Sequence, residues 1–228
     1  PLILDPARRD TLRMEAYVEH LDSGATFAHS PANEALYGMM DAVRATVGWA
    51  SRSYLTGAML SYKPERGQTM LANYLEAQEK QNQAMTPFLD SPVPEVATLA
   101  ELYHRPVFQP SGPDSLWGKQ LQWHSYHHRM ANINFADSSL GYLAVAYREF
   151  QHWATEARYV DNDPERVQQR LDSVLALIPP GTRWHRLVLH QYVTRMNGLK
   201  KHGKEWMPAF QKYLDAELTY YSDTKHGR

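Results

Sequence analysis

The chain has 228 residues, of which 43% are hydrophobic, so it can bury a sizeable core in one large domain or two small ones. Its 24 Lys and Arg residues nearly balance 25 Asp and Glu residues, and the formal net charge of −1 gives the whole molecule no bias towards nucleic acid or anionic membranes. The absence of cysteine excludes disulfides, thiolate catalysis and Cys-ligated metal sites. No stretch approaches the roughly 18–20 apolar residues that span a bilayer. We therefore expect a soluble, cytoplasmic protein with no membrane partner.

Apolar residues recur every three or four positions along most of the chain, which is the spacing of amphipathic helices. In the first half this pattern predicts a short helix from Pro6 to Leu21 and a long one from Pro31 to Lys63. Two more helices are predicted from Glu65 to Asp90 and from Glu95 to His104. Within the former, Ala77 to Ala84 is almost wholly polar, so we expect a solvated stretch there.

Three glycines, Gly38, Gly48 and Gly57, fall inside the long predicted helix. Each glycine lowers helix stability by about 0.8–1 kcal/mol relative to alanine. We therefore expect these positions to allow a neighbouring helix to approach closely.

Proline and glycine punctuate the second half of the chain. Arg105 to Asp114 contains three prolines and a glycine, which predicts a loop and marks the position of any subdomain boundary. Asp163 and Thr182 each precede a helical pattern, as N-cap residues do. The helices predicted here are Ser115 to Ala136, Ser139 to Val160, Asp163 to Ile178, Thr182 to Leu199 and Trp206 to Tyr221.

No segment shows two-residue alternation flanked by hairpin turns, so no significant β-sheet is expected. The sequence predicts an all-α fold, an irregular antiparallel bundle of about eight or nine helices. We expect a single helical domain over residues 1–228, with 105–114 as the place of any internal boundary.

A histidine-rich segment from Trp117 to Glu156 raises the question of a metal site. His124 and His128 lie one helical turn apart, and Glu149 and His152 have the Glu-x-x-His spacing of di-iron helical bundles. These four residues would bind iron or manganese in a non-haem oxygenase or oxidase. However, Glu149 and His152 fall opposite the larger apolar stripe of their helix, so they are predicted to face away from the core. A structural or binding role is therefore favoured over a metal site.

Charged and aromatic residues cluster in two parts of the chain. The basic segment 183–204 contains no acidic residue and begins with Arg183, Trp184 and Arg186. Tryptophan and arginine are common anchors in protein interfaces. Nucleic-acid binding by this segment is a weaker alternative, because the rest of the chain is not basic. The acidic counterpart comprises Glu76, Glu79, Glu95 and Glu101.

None of the common catalytic motifs occurs: there is no nucleophile elbow, phosphate-binding loop, His-Glu-x-x-His or dinucleotide fingerprint. The sequence therefore favours a bacterial protein that is not an enzyme, needs no cofactor and binds another protein. An immunity protein that neutralises a cognate toxin, or an adaptor, is a concrete form of this hypothesis. The predicted partner-binding residues are Glu76, Glu79, Glu95, Glu101, Arg183, Trp184 and Arg186.

Overall fold

The computed structural model of the protein describes residues 13–15, 26–28, 30–50, 52–160, 163–200 and 203–221. Within these ranges the chain forms nine α-helices, with a few short 3-10 helices and one pair of three-residue strands, which confirms the all-α fold class. The contacts divide the chain into two compact units, Pro1–His128 and Arg129–Arg228. The segment 105–114 lies inside the first unit, and the single domain over residues 1–228 stays a prediction.

The two strands, β1 (Arg13–Glu15) and β2 (Thr26–Ala28), pair antiparallel with Met14 opposite Phe27. The helix predicted from Pro6 to Leu21 is therefore wrong at β1, where hydrogen bonding to β2 overrides the helix propensity of the local residues. The remainder of that predicted helix lies outside the described residues.

The helices of the first unit mostly begin where the sequence indicated. Proline occupies the first helical position three times, where its missing N–H leaves no hydrogen bond unmade. The long helix predicted from Pro31 to Lys63 is two helices, and the helix predicted to reach Ala136 ends at Arg129. The bounds are α1 Pro31–Ala50, α2 Ser53–Tyr62, α3 Pro64–Leu89, α4 Pro94–Tyr103 and α5 Trp117–Arg129.

The loop that follows α4 is held against α3 by two side-chain amides. Asn82 Nδ2 donates to the Arg105 carbonyl at 2.6 Å, and Asn82 Oδ1 accepts from the Arg105 N–H at 3.0 Å. Gln78 Nε2 donates to the Pro106 carbonyl at 2.9 Å, and its Oε1 accepts from the Phe108 N–H at 3.4 Å. Phe108 is thereby fixed in an apolar cluster that also contains Leu60, Leu71, Tyr74 and Leu121.

These contacts correct the expectation that Ala77 to Ala84 is solvated. Gln78 and Gln81 are both only 5% exposed. A buried amide must keep both its donor and its acceptor occupied. For Gln78 the backbone of the loop supplies both partners.

The helices α2 and α5 meet through glycine. A Cβ added to Gly57 would lie 2.7 Å from the Gly118 carbonyl oxygen, so the two backbones approach too closely for any side chain at this point. On the same pair of helices, the buried hydroxyls of Ser53 and Ser125 lie 2.7 Å apart. Close packing is thus confirmed for Gly57. It is wrong for Gly38 and Gly48, where an added Cβ would meet nothing within 4 Å.

The second unit is built around the helix Arg183–Leu199, which contributes aromatic residues to the core. Trp184 and Tyr192 of this helix are fully buried, and the Phe150 ring lies 5.5 Å and 5.7 Å from theirs. Its helices are α6 Ala144–Val160, α7 Pro164–Leu175, α8 Arg183–Leu199 and α9 Met207–Tyr220. None of the described helices is long and apolar enough to cross a membrane.

We expect Gly57→Ala to lower the free energy of unfolding by about 1–3 kcal/mol, because the new methyl group must push α2 away from α5. The matched control is Gly38→Ala on α1, which adds the same methyl group to an open helix surface. It should raise stability by about 0.5–1 kcal/mol, since alanine restricts the unfolded chain more than glycine does. Urea unfolding of both variants measures the difference, and equal effects would contradict the packing described above.

Candidate protein-binding surface

The first turn of α8 carries an arrangement of charge that helices normally avoid. The preceding loop turns at Gly181, whose φ is +83°. Thr182 then caps the helix, since its hydroxyl accepts from the His185 N–H at 3.1 Å, which confirms the predicted cap. Arg183 and Arg186 follow, with no acidic residue in this turn. Cations at a helix N-terminus oppose the helix dipole, so the arginines do not stabilise the helix here.

The tryptophan between the two arginines, Trp184, points inward. Trp184 is 0% exposed and lies edge-on to Phe150. The backbone of Gly141 packs against the backbone of Trp184, because a Cβ on Gly141 would lie 2.7 Å from the Trp184 backbone nitrogen. The prediction that Trp184 contacts a partner is therefore corrected, since its side chain belongs to the core. Arg183, its neighbour, is exposed.

Tyrosine rings accompany both arginines. The Arg183 guanidinium lies 5.1 Å from the centroid of the Tyr142 ring, and that tyrosine is 70% exposed. The Arg186 guanidinium lies 5.7 Å from the ring of Tyr221, which in turn neighbours Tyr220 at 6.2 Å. We call these five residues, Tyr142, Arg183, Arg186, Tyr220 and Tyr221, the Arg–Tyr surface.

The acidic residues singled out by the sequence lie on α3 and α4 of the first unit. Glu76, Glu79 and Glu101 are exposed, whereas Glu95 is half-buried. The Lys80 ammonium bonds to Glu76 at 2.6 Å and thereby lowers the pKa of the Glu76 carboxyl.

A cleft of about 350 Å³ lies beside this pair, between α1 and α3. The cleft could not be predicted from the sequence, because its walls come from two helices whose contact is not visible in the spacing of apolar residues. It is lined by Ala45, Thr46, Gly48, Asn73, Glu76, Ala77 and Lys80.

The two histidines proposed as metal ligands have other contacts within the first unit. His124 Nε2 lies 2.8 Å from the Pro106 carbonyl, and its ring packs edge-on to Phe108. The rings of His124 and His128 are 4.5 Å apart. Partial burial lowers the pKa of His128, and the neighbouring His124 lowers it further.

The carboxylates of that proposed site belong to the second unit and are held by arginine. The Arg129 guanidinium donates to Glu149 at 3.0 Å and to Glu156 at 2.8 Å and 3.2 Å. Glu149 is only 7% exposed, so the prediction that it faces away from the core is wrong. His152, one turn along, is exposed. Across the residues described by the structure, no group of three or more His, Asp or Glu side chains is arranged to hold a metal ion.

Two of the five residues of the Arg–Tyr surface, Arg183 and Arg186, were predicted from the sequence. Arg183 and Arg186 stood out because they are neighbours in sequence. Tyr142 and Tyr221 did not, because only the tertiary fold brings them to the start of α8. One feature of the sequence that could have marked this turn as a binding site was overlooked. Two arginines follow the capping residue Thr182, at a helix N-terminus where the helix dipole disfavours positive charge.

No protein-family model, no curated protein and no solved structure matches the chain, so the arrangement of these residues is what bears on function.

We expect Arg129→Met to lower the free energy of unfolding by about 3–5 kcal/mol, because it leaves two carboxylates without their buried counter-charge. The matched control is Arg166→Met, which removes an exposed guanidinium 3.4 Å from Asp163. That exposed pair should contribute less than about 1 kcal/mol. Chemical denaturation of the two variants tests this, and a similar small loss in both would show that the Arg129 pairs are weak.

Proposed function

We propose that this protein binds an acidic segment of another protein through the Arg–Tyr surface. The observation that carries the proposal is the pair of arginines in the first turn of α8. Their charge opposes the helix dipole, so a bound carboxylate would remove an unfavourable interaction as well as form new ones. Residues that lower local stability in this way are expected at functional sites.

The composition of the surface supports a protein partner. Arginine and tyrosine are enriched among the residues that contribute most to binding between proteins. Tyr142 and Tyr220 are 70% and 54% exposed, so large aromatic faces are open to solvent beside the guanidinium groups. A partner segment that places apolar side chains next to its carboxylates would contact both kinds of group.

An immunity protein that neutralises a toxin in the bacterial cytoplasm would use such a surface, and so would an adaptor. In either case the acidic residue of the partner is the feature that we expect to determine binding. The acidic set on α3 and α4 provides a site of opposite sign for a basic segment, although Lys80 already pairs with Glu76.

The two other hypotheses gain less from the geometry. A metal site would require Glu149, which Arg129 already holds. Nucleic-acid binding would use the same arginines. It is distinguished from protein binding by whether the protein prefers a DNA duplex or an acidic peptide.

The test uses short fluorescein-labelled peptides in which Glu and Asp flank a Leu or Phe residue. Matched peptides carry Gln and Asn in place of the acids, and a short DNA duplex serves as a third probe. Fluorescence anisotropy should show binding of the acidic peptides alone. Binding of the duplex in preference to every peptide would favour the nucleic-acid hypothesis.

We expect Arg183→Glu combined with Arg186→Glu to weaken binding of the acidic peptide at least about tenfold, since two attractive charges become repulsive. The matched control is Arg166→Glu combined with Lys204→Glu, which makes the same change of charge at two exposed positions of the second unit that lie outside the Arg–Tyr surface. Circular dichroism checks that both variants fold. Equal weakening by the two variants would show that net charge, and not the Arg–Tyr surface, governs binding.

A further inference from the structure

We propose that His185 is the positioning residue of the Arg–Tyr surface and that its protonation detaches Tyr220 and Tyr221, so that the surface is assembled at neutral pH and dismantled in mild acid. The inference concerns regulation of the proposed binding surface. Its relevance to binding rests on the proposed function, whereas the structural change is measurable in the free protein.

His185 is a buried residue that contacts both Tyr220 and Tyr221. It is only 4% exposed, although Arg183 before it is exposed and Arg186 after it is half-buried. Its Nδ1 atom lies 2.8 Å from the Tyr221 hydroxyl. The rings of Tyr220 and Tyr221 lie 5.4 Å and 5.8 Å from the imidazole. His185 is therefore the buried group against which both tyrosines rest.

The Tyr221 hydroxyl also joins the end of α9 to the cap of α8. It donates to the Thr182 carbonyl at 3.4 Å. Because Thr182 is the residue before Arg183, this contact fixes Tyr221 beside the arginines. Loss of the contact between His185 and Tyr221 would separate the aromatic part of the surface from its cationic part.

A positive charge on His185 would lie among groups that do not compensate it. From α9 the imidazole meets the rings of Tyr220 and Tyr221 and the Tyr221 hydroxyl, and on α8 its charged neighbours are Arg183 and Arg186. No carboxylate forms an ion pair with it in the part of the chain that the structure describes. Burial alone lowers the pKa of His185 below its ordinary value of 6.5.

Beside His185, α6 contributes the apolar ring of Phe150, which packs against Trp184, and the polar contacts between α6 and α8 lie farther along the helix. Gln151 bonds to Gln191, and Arg195 donates to the Thr155 carbonyl. Neither contact adds a charged group beside His185.

A second histidine on α8 shows the opposite arrangement. His190 Nδ1 lies 2.8 Å from the Glu217 carboxylate, which is fully buried. The polar neighbour of His190 is thus a carboxyl group, whereas that of His185 is a hydroxyl. This pair holds α9 one turn before Tyr221, so acid would release the end of the helix without detaching the rest of it.

The sign of the pH effect follows from the lowered pKa. The imidazole binds a proton more weakly when buried than when exposed to solvent, so acid favours the state in which it is exposed. At neutral pH and above, His185 is neutral whether it is buried or exposed, and the assembled Arg–Tyr surface, which we call the closed surface, keeps its full stability. As the pH falls below 6.5, the closed surface loses stability until the buried imidazole is itself protonated. The end of α9 is the nearest element whose detachment exposes the ring, and helix ends open at low cost.

The first measurement uses the free protein. Histidine resonances followed by NMR between about pH 8 and about pH 5 should show the His185 imidazole titrating below its ordinary value of 6.5. Over the same range, the Tyr221 amide, which donates to the Glu217 carbonyl at 2.7 Å, should lose hydrogen-exchange protection. The loss should be about tenfold for each unit by which burial lowers the pKa of His185. Protection that stays constant across this range would overturn the inference.

His185→Gln tests the cause, because glutamine can bond to the Tyr221 hydroxyl and cannot be protonated. We expect this variant to keep the Tyr221 amide protected throughout the range, whereas the control His190→Gln should retain the wild-type pH dependence. If His185→Gln does not fold, Tyr221→Phe serves instead. That variant lacks the hydroxyl and should lose protection already at neutral pH. Wild-type behaviour of whichever variant is measured would contradict the role of His185.

The second measurement is the binding of the acidic peptide by wild type and by His185→Gln at each pH. The ratio of the two affinities removes the titration of the peptide's own carboxyl groups. We expect the affinity of the wild type, divided by that of His185→Gln, to decrease as the pH falls. If neither protein binds the peptide at neutral pH, the proposed function fails, while the NMR result still decides whether His185 controls Tyr221.

Discussion

Burying a polar group without a hydrogen-bond partner costs free energy, and this constraint acts in both units. In the first unit, Gln78 and Asn82 satisfy their amides with the backbone of the loop after α4, which converts an irregular segment into part of the core. In the second unit, the carboxylates of Glu149 and Glu156 converge on Arg129. Each arrangement is costly to break, because the group left behind would stay buried without a partner. The apolar contacts provide most of the stability, and these polar contacts determine which segments lie together.

The helices could be predicted from the sequence, because a repeat of three and four residues is a local property and capping residues mark the ends. Asp163 and Thr182 cap the helices that they were expected to cap. The burial of polar residues could not be predicted in the same way. The polar stretch Ala77 to Ala84 was expected to be solvated, and Glu149 was assigned to the solvent side, because periodicity records the polarity of a face without its partners. Those partners are distant in sequence: Gln78 bonds to a carbonyl 28 residues away, and Glu149 pairs with an arginine 20 residues away.

The same limit applies to the Arg–Tyr surface. Its arginines were identified from the sequence because they lie in one basic segment, whereas Tyr142 and Tyr221 come from the 3-10 turn before α6 and from the end of α9. Trp184 shows the converse error, since an aromatic residue between two arginines resembled an interface anchor and is a core residue. In the first turn of α8, Trp184 and His185 are buried, whereas Arg183 is exposed and Arg186 is half-buried. The buried pair belongs to the core, and the arginines carry the charge on which the proposed function rests.

The contact of α2 with α5 has a consequence for the order of folding. Ser53 and Ser125, which meet across these helices, are 72 residues apart in sequence. Closing so long a loop costs conformational entropy, which the contacts of α3 with its sequence neighbours α2 and α4 largely avoid. We therefore expect α2, α3 and α4 to associate first and α5 to dock afterwards. Until it docks, the side of α2 that carries Gly57 stays exposed to solvent, so the hydroxyl of Ser53 acquires its partner on α5 only at this late step.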